Sequence, residues 1–542
     1  MRRRPFPFIL LTALTILAGP AAAIASPPVF RASPCPQDVS PETTRVDCGS
    51  VEVPESRARP HGKTIRVAAA VVRAQAAHPK ADPIVFLAGG PSFGAISPYA
   101  MEAYLADASF IEDRDVILVD TRGTGTSEPR LGCPEFDRAS VSSGYSKPFV
   151  DSKYAEIFSA AVAACRDRLS GSGIGLSSYN SAEGAADLDD LRRALGYERW
   201  NLLALSADGV LGLTYMRLHP SGIRSAIIDS GHSPQMLGPL DYARGNNEVL
   251  ERVFAGCAAN AACNSTYPNI RGLFFDLVHR LQRHPAVISI PSFDPKPVKL
   301  RVDGIWFYFD ALYGIFPGNR FEPEHIHDLL DEIWRSAHGE LDDVMRARVG
   351  TGPFESDADN FVAEGKTMSY LCHDVVGFIT RDDLEQAARD LPELAPEFLD
   401  PNFHIPDGPA GCRIWGVGVA DPAQHRPVRS EIPTLVLAGE YDSGGGVPPL
   451  ITRQIPPTLP NSFYYEFPAG AHGQLADYNN ASPCARDIAA QFLGAPARRP
   501  DSGCIASVAP LDFTPPKAAR STACRPCRHG RNRTGPTDRE AP

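Results

Sequence analysis

Short apolar segments of β character alternate with segments of helical periodicity through the first half of this 542-residue chain. The predicted strands there cover 65–74, 83–90, 115–123, 200–205 and 223–231. Apolar residues at helical spacing over 182–195, closed by Gly196, predict a helix before the fourth of them. Strands that alternate with helices are typical of a parallel sheet with helices on its faces. The fold class predicted is therefore α/β.

The pattern changes over about two hundred residues in the second half. From 234 to 430 helical segments and loops dominate, and strands are predicted again at 432–442 and 461–467. A sheet that is interrupted and then resumed indicates an inserted domain. We predict a core made of 26–233 and 431–514, and a mainly helical cap over 234–430 that covers the carboxyl ends of the strands.

Both ends of the chain differ from the rest in composition. Residues 1–25 combine three arginines, a short apolar run and the small residues of a cleavage site, which is typical of an export signal. The apolar run is too short to span a membrane, so a protein without a membrane anchor is expected after signal removal. Residues 515–542 are rich in Arg, Pro and Gly and predict a disordered basic tail. The predicted location is periplasmic or extracellular.

Charge and cysteine content narrow the class of partner and cofactor. A net charge of −11 argues against a nucleic-acid partner. Twelve cysteines suit an exported protein with disulfide bonds. Ten of them form five pairs at short spacing, 35/48, 133/165, 257/263, 372/412 and 484/504, although spacing alone leaves the connectivity open. Cys524 and Cys527 form an isolated C-x-x-C motif, so no metal site is predicted.

Ser206 lies where a predicted strand meets a predicted helix, in the sequence NLLALSADGVLGL. A nucleophile elbow of the form G-x-S-x-G occupies such a turn and exposes its serine at the end of the sheet. Here the glycine positions hold Ala204 and Asp208, and Gly209 follows one residue later. The added carboxylate would disfavour an oxyanion nearby, whereas Gly209 could serve the turn instead.

Two further residues complete the order serine, acid, histidine. Asp442 follows the predicted strand in LVLAGEYD, and His472 lies in PAGAHG after the last predicted strand. A serine hydroxyl needs a base to remove its proton, and the histidine base needs a carboxylate to orient it. The loop LAGGPS and the residue after the serine are the expected oxyanion donors, through Gly90 and Ala207.

These motifs, with VDTRGTGTSEP between them, resemble the exported tripeptidyl aminopeptidase and proline iminopeptidase family, including its C-terminal region. The resemblance covers most of the chain from about 35 to 513. It implies an α/β-hydrolase fold with an inserted helical cap and a serine exopeptidase that needs no cofactor. Ser206 is then the nucleophile, Asp442 the orienting acid and His472 the base.

An aminopeptidase needs acidic side chains for the ammonium group of its substrate. We expect substrate binding by Asp374, Glu355 and Asp208, the first because the resembled family has an aspartate near a cysteine there. Two alternatives to the aminopeptidase remain open: an esterase for small esters or amides, and a weakened pseudo-hydrolase that binds a ligand or partner. The sequence does not determine the oligomeric state.

Overall fold

The computed structural model describes most of the chain between residues 28 and 516. The described residues are 28–36, 39, 45–97, 112–143, 152–290, 298–314, 323–349, 362–402, 408–443, 446–476 and 482–516. The predicted export signal, most of the predicted tail, and Glu355 lie outside these residues.

Nine strands of the described chain form one sheet. They are β1 (Phe30–Ala32), β2 (Val46–Pro54), β3 (Thr64–Val72), β4 (Ile84–Leu87), β5 (Val116–Asp120), β6 (Trp200–Leu205), β7 (Ile223–Asp229), β10 (Thr434–Gly439) and β11 (Ser462–Phe467). Their order across the sheet is β1-β2-β3-β5-β4-β6-β7-β10-β11. The pairings among β1, β2, β3 and β5 are antiparallel, and all pairings from β5 to β11 are parallel.

The seven predicted strands are all present, as β3 to β7, β10 and β11, so the α/β prediction is confirmed. The pattern did not predict β1 and β2. In β2, buried Val51 and Val53 flank exposed Glu52. Because of this alternation, β2 contains no continuous apolar run that would predict a strand.

Helices cover both faces of the sheet. The described α-helices are α1 (Pro134–Ser143), α2 (Ser152–Gly171), α3 (Ser181–Ala194), α4 (Asp208–Leu218), α5 (Pro239–Ala259), α6 (Ala261–Thr266), α7 (Ile270–Arg283), α8 (Gly304–Gly314), α9 (Pro323–Arg335), α10 (Leu341–Val349), α11 (Glu364–Tyr370), α12 (Arg381–Asp390), α13 (Ala395–Phe398), α14 (Pro409–Trp415), α15 (Pro449–Thr452) and α16 (Ser482–Gly494).

Every residue of β6 is buried, because a central parallel strand is covered on both faces. Leu202 and Ala204 belong to the apolar cluster formed with α3 and α4. Leu203 and Leu205 point to the opposite side and belong to the cluster formed with α16. This double burial holds the carboxyl end of β6 rigidly in the middle of the sheet.

The chain between β7 and β10 contains α5 to α14 and a second, antiparallel sheet of β8 (Ala286–Ile290) and β9 (Val298–Val302). This hairpin was not predicted. Most members of one large apolar cluster lie in this segment, where Phe274 packs against Phe254 and Tyr308. It also contacts the chain after β4, through a β-bridge between Val362 and Phe93.

Five disulfide bonds join the cysteine pairs that lie at short spacing: Cys35–Cys48, Cys133–Cys165, Cys257–Cys263, Cys372–Cys412 and Cys484–Cys504. Such bonds indicate folding in an oxidising compartment. In the part of the chain that the structure describes, no helix combines the length and the apolar character needed to cross a bilayer.

Candidate active site

Ser206 occupies a tight turn between β6 and α4. Its φ of 55° lies in the left-handed region, which residues other than glycine seldom adopt. The Ser206 amide donates to the Asp229 carbonyl at 3.1 Å, and the Ser206 carbonyl accepts the amides of Gly209 and His232, each at 2.9 Å. These bonds stabilise a strained backbone of the kind found at a nucleophile elbow.

The surrounding packing accommodates the absence of glycine at 204 and 208. The Ala204 methyl faces Gly212 of α4, where an added β-carbon would lie 3.0 Å from it. Gly209 packs against the loop after β7, where an added β-carbon would lie 2.8 Å from the His232 amide nitrogen. Gly209 thus provides the close approach that the elbow needs, one residue later than in the usual motif.

The structure brings Asp442 and His472 together. Asp442 is fully buried after β10, and its Oδ2 lies 3.0 Å from Nδ1 of His472. Its other oxygen, Oδ1, accepts the Val447 amide at 2.7 Å. A side chain at Gly446 would overlap the Asp442 carboxylate. Gly446 and Val447 therefore lie against the carboxylate and help to orient it toward the imidazole.

Electrostatics favour the protonated imidazole of His472. Burial by itself disfavours the imidazolium, but the charge of Asp442, the hydrogen bond to it and the charge of Asp229 outweigh this effect. Together they raise the pKa of His472 above its ordinary value. A base with this environment is suited to take a proton from a serine and to hold it while the reaction proceeds.

Backbone amides from two elements lie beside Ser206. Gly89 and Gly90 follow β4 with φ values of 81° and 28°, and a β-carbon at 89 would lie 2.8 Å from the Ser206 β-carbon. The Ala207 amide is at the start of α4, where the helix dipole favours an anion. The amides of Gly90 and Ala207 have no hydrogen-bond acceptor among the described residues.

Asp208 is buried at the first position of α4, and its Oδ2 accepts the Gly89 amide at 3.0 Å. Lys366 of α11 is also buried, and its Nζ donates to the Tyr179 carbonyl at 3.0 Å. Burial raises the pKa of Asp208, whereas the Gly89 hydrogen bond and the Lys366 charge oppose that rise. Burial lowers the pKa of Lys366, although the charges of Asp374 and Asp208 oppose this.

Asp374 belongs to the same buried group of charges. Its Oδ2 accepts the Ser181 amide at 2.8 Å, and its Oδ1 lies 2.6 Å from Nδ1 of His373. The hydroxyl of Tyr370 is buried within electrostatic reach of Asp374 and Asp208, and it has no hydrogen-bond partner among the described residues. The structure thus places two of the three predicted substrate-binding carboxylates near each other. Glu355 lies outside the described residues.

Residues 82–477 match the family described as alpha/beta hydrolase fold. The chain belongs to the alpha/beta hydrolase fold family. The match extends from the start of β4 to just beyond His472, so it includes Ser206, Asp442 and the segment between β7 and β10.

Several relatives of this hydrolase are named as peptidases. Serine protease Hip1 of Mycobacterium tuberculosis is 25% identical over 418 residues, which cover 73% of this hydrolase and 76% of Hip1. Tripeptidyl aminopeptidase of Streptomyces coelicolor is 29% identical over 196 residues, covering 35% of this hydrolase and 36% of that protein. A crystal structure of proline iminopeptidase from Mycobacterium smegmatis aligns with 83% of this hydrolase and 98% of that chain, at 16% identity and a TM-score of 0.34. The family and these names make the chain an enzyme of the serine hydrolase class.

Two residues of this hydrolase that face the candidate site escaped the sequence-based prediction. Lys366 lies in a helix without a recognisable motif, and nothing in its local sequence indicates burial beside Asp208. Asp229 ends β7 in SAIIDSG, where an aspartate reads as an ordinary turn residue. For Asp229, the available signal in the sequence was its position at the end of a long apolar strand.

Proposed function

We propose that this chain is an exported serine aminopeptidase that releases short peptides or proline from peptide N-termini. Ser206 is the nucleophile, His472 the base and Asp442 the acid that orients it. The contact between His472 Nδ1 and Asp442 Oδ2, at the end of the sheet where Ser206 has its strained elbow, carries this assignment.

The proposed reaction proceeds through an acyl-enzyme. Because Nδ1 of His472 is directed to Asp442, Nε2 is the nitrogen that takes the proton from Ser206 Oγ. Oγ then forms a bond to the carbonyl carbon of the scissile peptide, and the carbon–nitrogen bond breaks as His472 returns the proton to the leaving amine. Water hydrolyses the resulting ester with His472 again as base.

Two amides are proposed to stabilise the tetrahedral oxyanion. The Ala207 amide has the favourable end of the α4 dipole behind it, and the Gly90 amide comes from the loop that Gly89 places against Ser206. The hydrogen bond between Asp208 and the Gly89 amide anchors this loop to the elbow. The carboxylate of Asp208 is unfavourable for a nearby oxyanion, but its hydrogen bond to Gly89 holds the loop that supplies an oxyanion donor. The second effect offsets part of the first.

The buried charges beside the elbow suit a substrate with a free ammonium group. Asp208 and Asp374 are two buried acidic side chains that act on the single buried ammonium of Lys366. The Tyr370 hydroxyl, which has no hydrogen-bond partner among the described residues, is a further acceptor for an ammonium. We assign the substrate's N-terminus to this group of residues, and Glu355 stays a candidate for the same role.

The segment between β7 and β10 is proposed to act as the cap. It brings Lys366 and Asp374 to the elbow, and we propose that it closes the far end of the cleft there. A closed far end favours removal of short units over cleavage inside long chains. Export is supported by five disulfide bonds and by the signal-like residues 1–25.

A fluorophosphonate probe tests the nucleophile. The folded protein should be labelled, Ser206→Ala should not, and Ser225→Ala should be labelled like the parent, because Ser225 is buried in β7 and bonded to Asn201. Labelling that survives in Ser206→Ala would overturn the assignment of the nucleophile. Absence of labelling in the folded parent would instead support a pseudo-hydrolase.

A matched set of substrates tests the specificity. Tripeptidyl and prolyl anilides with free N-termini should be cleaved, and the same anilides with acetylated N-termini should be cleaved at least about tenfold more slowly, because the buried carboxylates then lose their cation. Equal rates on free and acetylated anilides, with faster cleavage of nitrophenyl esters, would favour the esterase.

A further inference from the structure

The carboxyl end of β7 holds the loop that follows His472. The two carboxylate oxygens of Asp229 accept the amides of Gln474 at 2.8 Å and Leu475 at 2.9 Å. The hydroxyl of the next residue, Ser230, accepts the Gly473 amide at 3.1 Å. Three consecutive amides directly after His472 are therefore bonded to two consecutive side chains at the end of one strand.

Asp229 is also bonded to the Ser206 elbow. The backbone carbonyl of Asp229 accepts the Ser206 amide at 3.1 Å. The Ser230 amide in turn donates to the carbonyl of Leu437 at 2.9 Å, in the strand that leads to Asp442. Asp229 is completely buried, so neither its backbone nor its carboxylate exchanges these bonds with water.

We propose that Asp229 is a positioning residue that sets the distance and orientation between the Ser206 elbow and the His472 loop. It does so through its carbonyl on one side and its carboxylate on the other. The inference rests on the proposed roles of Ser206 and His472, and it assigns no direct contact with substrate to Asp229. A displacement of a catalytic group by about 1 Å lowers a rate by roughly a hundredfold, so a rigid link of this kind matters for turnover.

Asp229 also acts on His472 through its charge. The ionisable groups that influence His472 are Asp442, which is bonded to it, Asp229, and the neutral His232 of the neighbouring loop. Burial raises the pKa of Asp229 to about 6, and above that pH its negative charge adds to that of Asp442 in favouring the imidazolium. Loss of the Asp229 charge is therefore expected to lower the pH at which His472 becomes an active base.

The variant Asp229→Asn tests the positioning effect and the charge effect of Asp229. The substrate is a nitrophenyl ester with an acetylated N-terminus, because its cleavage does not depend on ammonium binding. Asparagine keeps one acceptor oxygen but presents an N–H to the second amide. We expect kcat to fall about tenfold or more with KM within about twofold, and the acidic limb of kcat/KM to move to lower pH. Asp115→Asn is the matched control, since Asp115 accepts the Ala74 amide ahead of β5 and has no place in the site.

The outcomes separate the inference from the proposed function. A kcat and an acidic limb in Asp229→Asn that match those of Asp115→Asn would show that Asp229 does not influence the catalytic groups and would overturn the inference. Activity that persists in Ser206→Ala would refute the proposed nucleophile instead. If Asp229→Asn fails to unfold cooperatively, Ser230→Ala decides, because it removes only the Gly473 bond. We then expect a fall in kcat of roughly three- to tenfold with an unchanged acidic limb, and an unchanged kcat would overturn the inference.

Discussion

The carboxylate of Asp208 and the amide of Gly89 lie 3.0 Å apart and form a hydrogen bond between the nucleophile elbow and the oxyanion loop. The two residues are 119 positions apart in the chain. A carboxylate at this place has two consequences of opposite sign. It anchors the loop that carries Gly90, and in its ionised form it places negative charge close to the proposed oxyanion.

Substitution at 208 should separate these two effects. Asp208→Asn keeps an acceptor for the Gly89 amide and removes the charge, so ester turnover should stay within about threefold of the parent. KM for anilides with a free N-terminus should rise about tenfold, because the ammonium loses a carboxylate. Asp208→Ala removes the acceptor as well and should lower ester kcat about tenfold or more. Steady-state kinetics on both substrate types provide the measurement, and equal effects of the two variants on the ester would contradict the anchoring role.

The pH dependence of kcat/KM should reflect the environment of His472. The base must be neutral to accept a proton, and its folded-state pKa is raised. Activity should therefore be lost as pH falls through a midpoint above about 6.5, the ordinary value for histidine. Asp442→Asn should move that midpoint to lower pH and reduce kcat by roughly 10⁴-fold. Asp303→Asn, at the start of α8, is the control. An acidic limb that does not move in Asp442→Asn would count against the proposed pairing of Asp442 with His472.

Gly209→Ala should disturb the elbow. The added methyl would meet the backbone of His232 at 2.7 to 2.8 Å, and backbone atoms cannot move aside as a flexible side chain does. We expect a loss of about 1–3 kcal/mol in the free energy of unfolding together with reduced kcat. Gly171→Ala, at the end of α2 with no atom within 4 Å of the added methyl, should change neither. Denaturant unfolding and ester kinetics on both variants test this, and parent-like values for Gly209→Ala would refute the close-packing argument.

The disulfide Cys372–Cys412 should matter for substrate binding as well as stability. It links the turn that carries Asp374 to α14 and closes a separation of 40 residues. Its removal in the double alanine variant should lower the free energy of unfolding by about 3–4 kcal/mol. KM for free-amine anilides should rise more than KM for esters, because Asp374 loses a nearby constraint. Removal of Cys257–Cys263 is the control. If the ratio of the anilide KM to the ester KM changes equally in the two disulfide variants, Asp374 has no role in binding the N-terminus.

The local pattern of the chain predicted seven of the strands and the order of the candidate residues. The predicted helix over 182–195 is observed as Ser181–Ala194, and the strand before Ser206 has its predicted bounds of 200–205. Apolar periodicity reports how one segment is buried, and this information is contained in the segment itself. The positions of Ser206, Asp442 and His472 after the ends of β6, β10 and β11 could be predicted for the same reason.

The relationships between distant residues were decided by the tertiary structure alone. Periodicity carries no information about which strands become neighbours, and the order of the sheet brings Asp229 within hydrogen-bond distance of Gln474, 245 positions away. The burial of Lys366 beside Asp208 likewise depends on how the segment between β7 and β10 packs on the elbow. The sequence by itself predicted seven strands of the large sheet and supplied the elbow and the three residues proposed for catalysis. Only the folded chain decided what holds them in place, because that depends on long-range packing and on which buried polar groups must find partners.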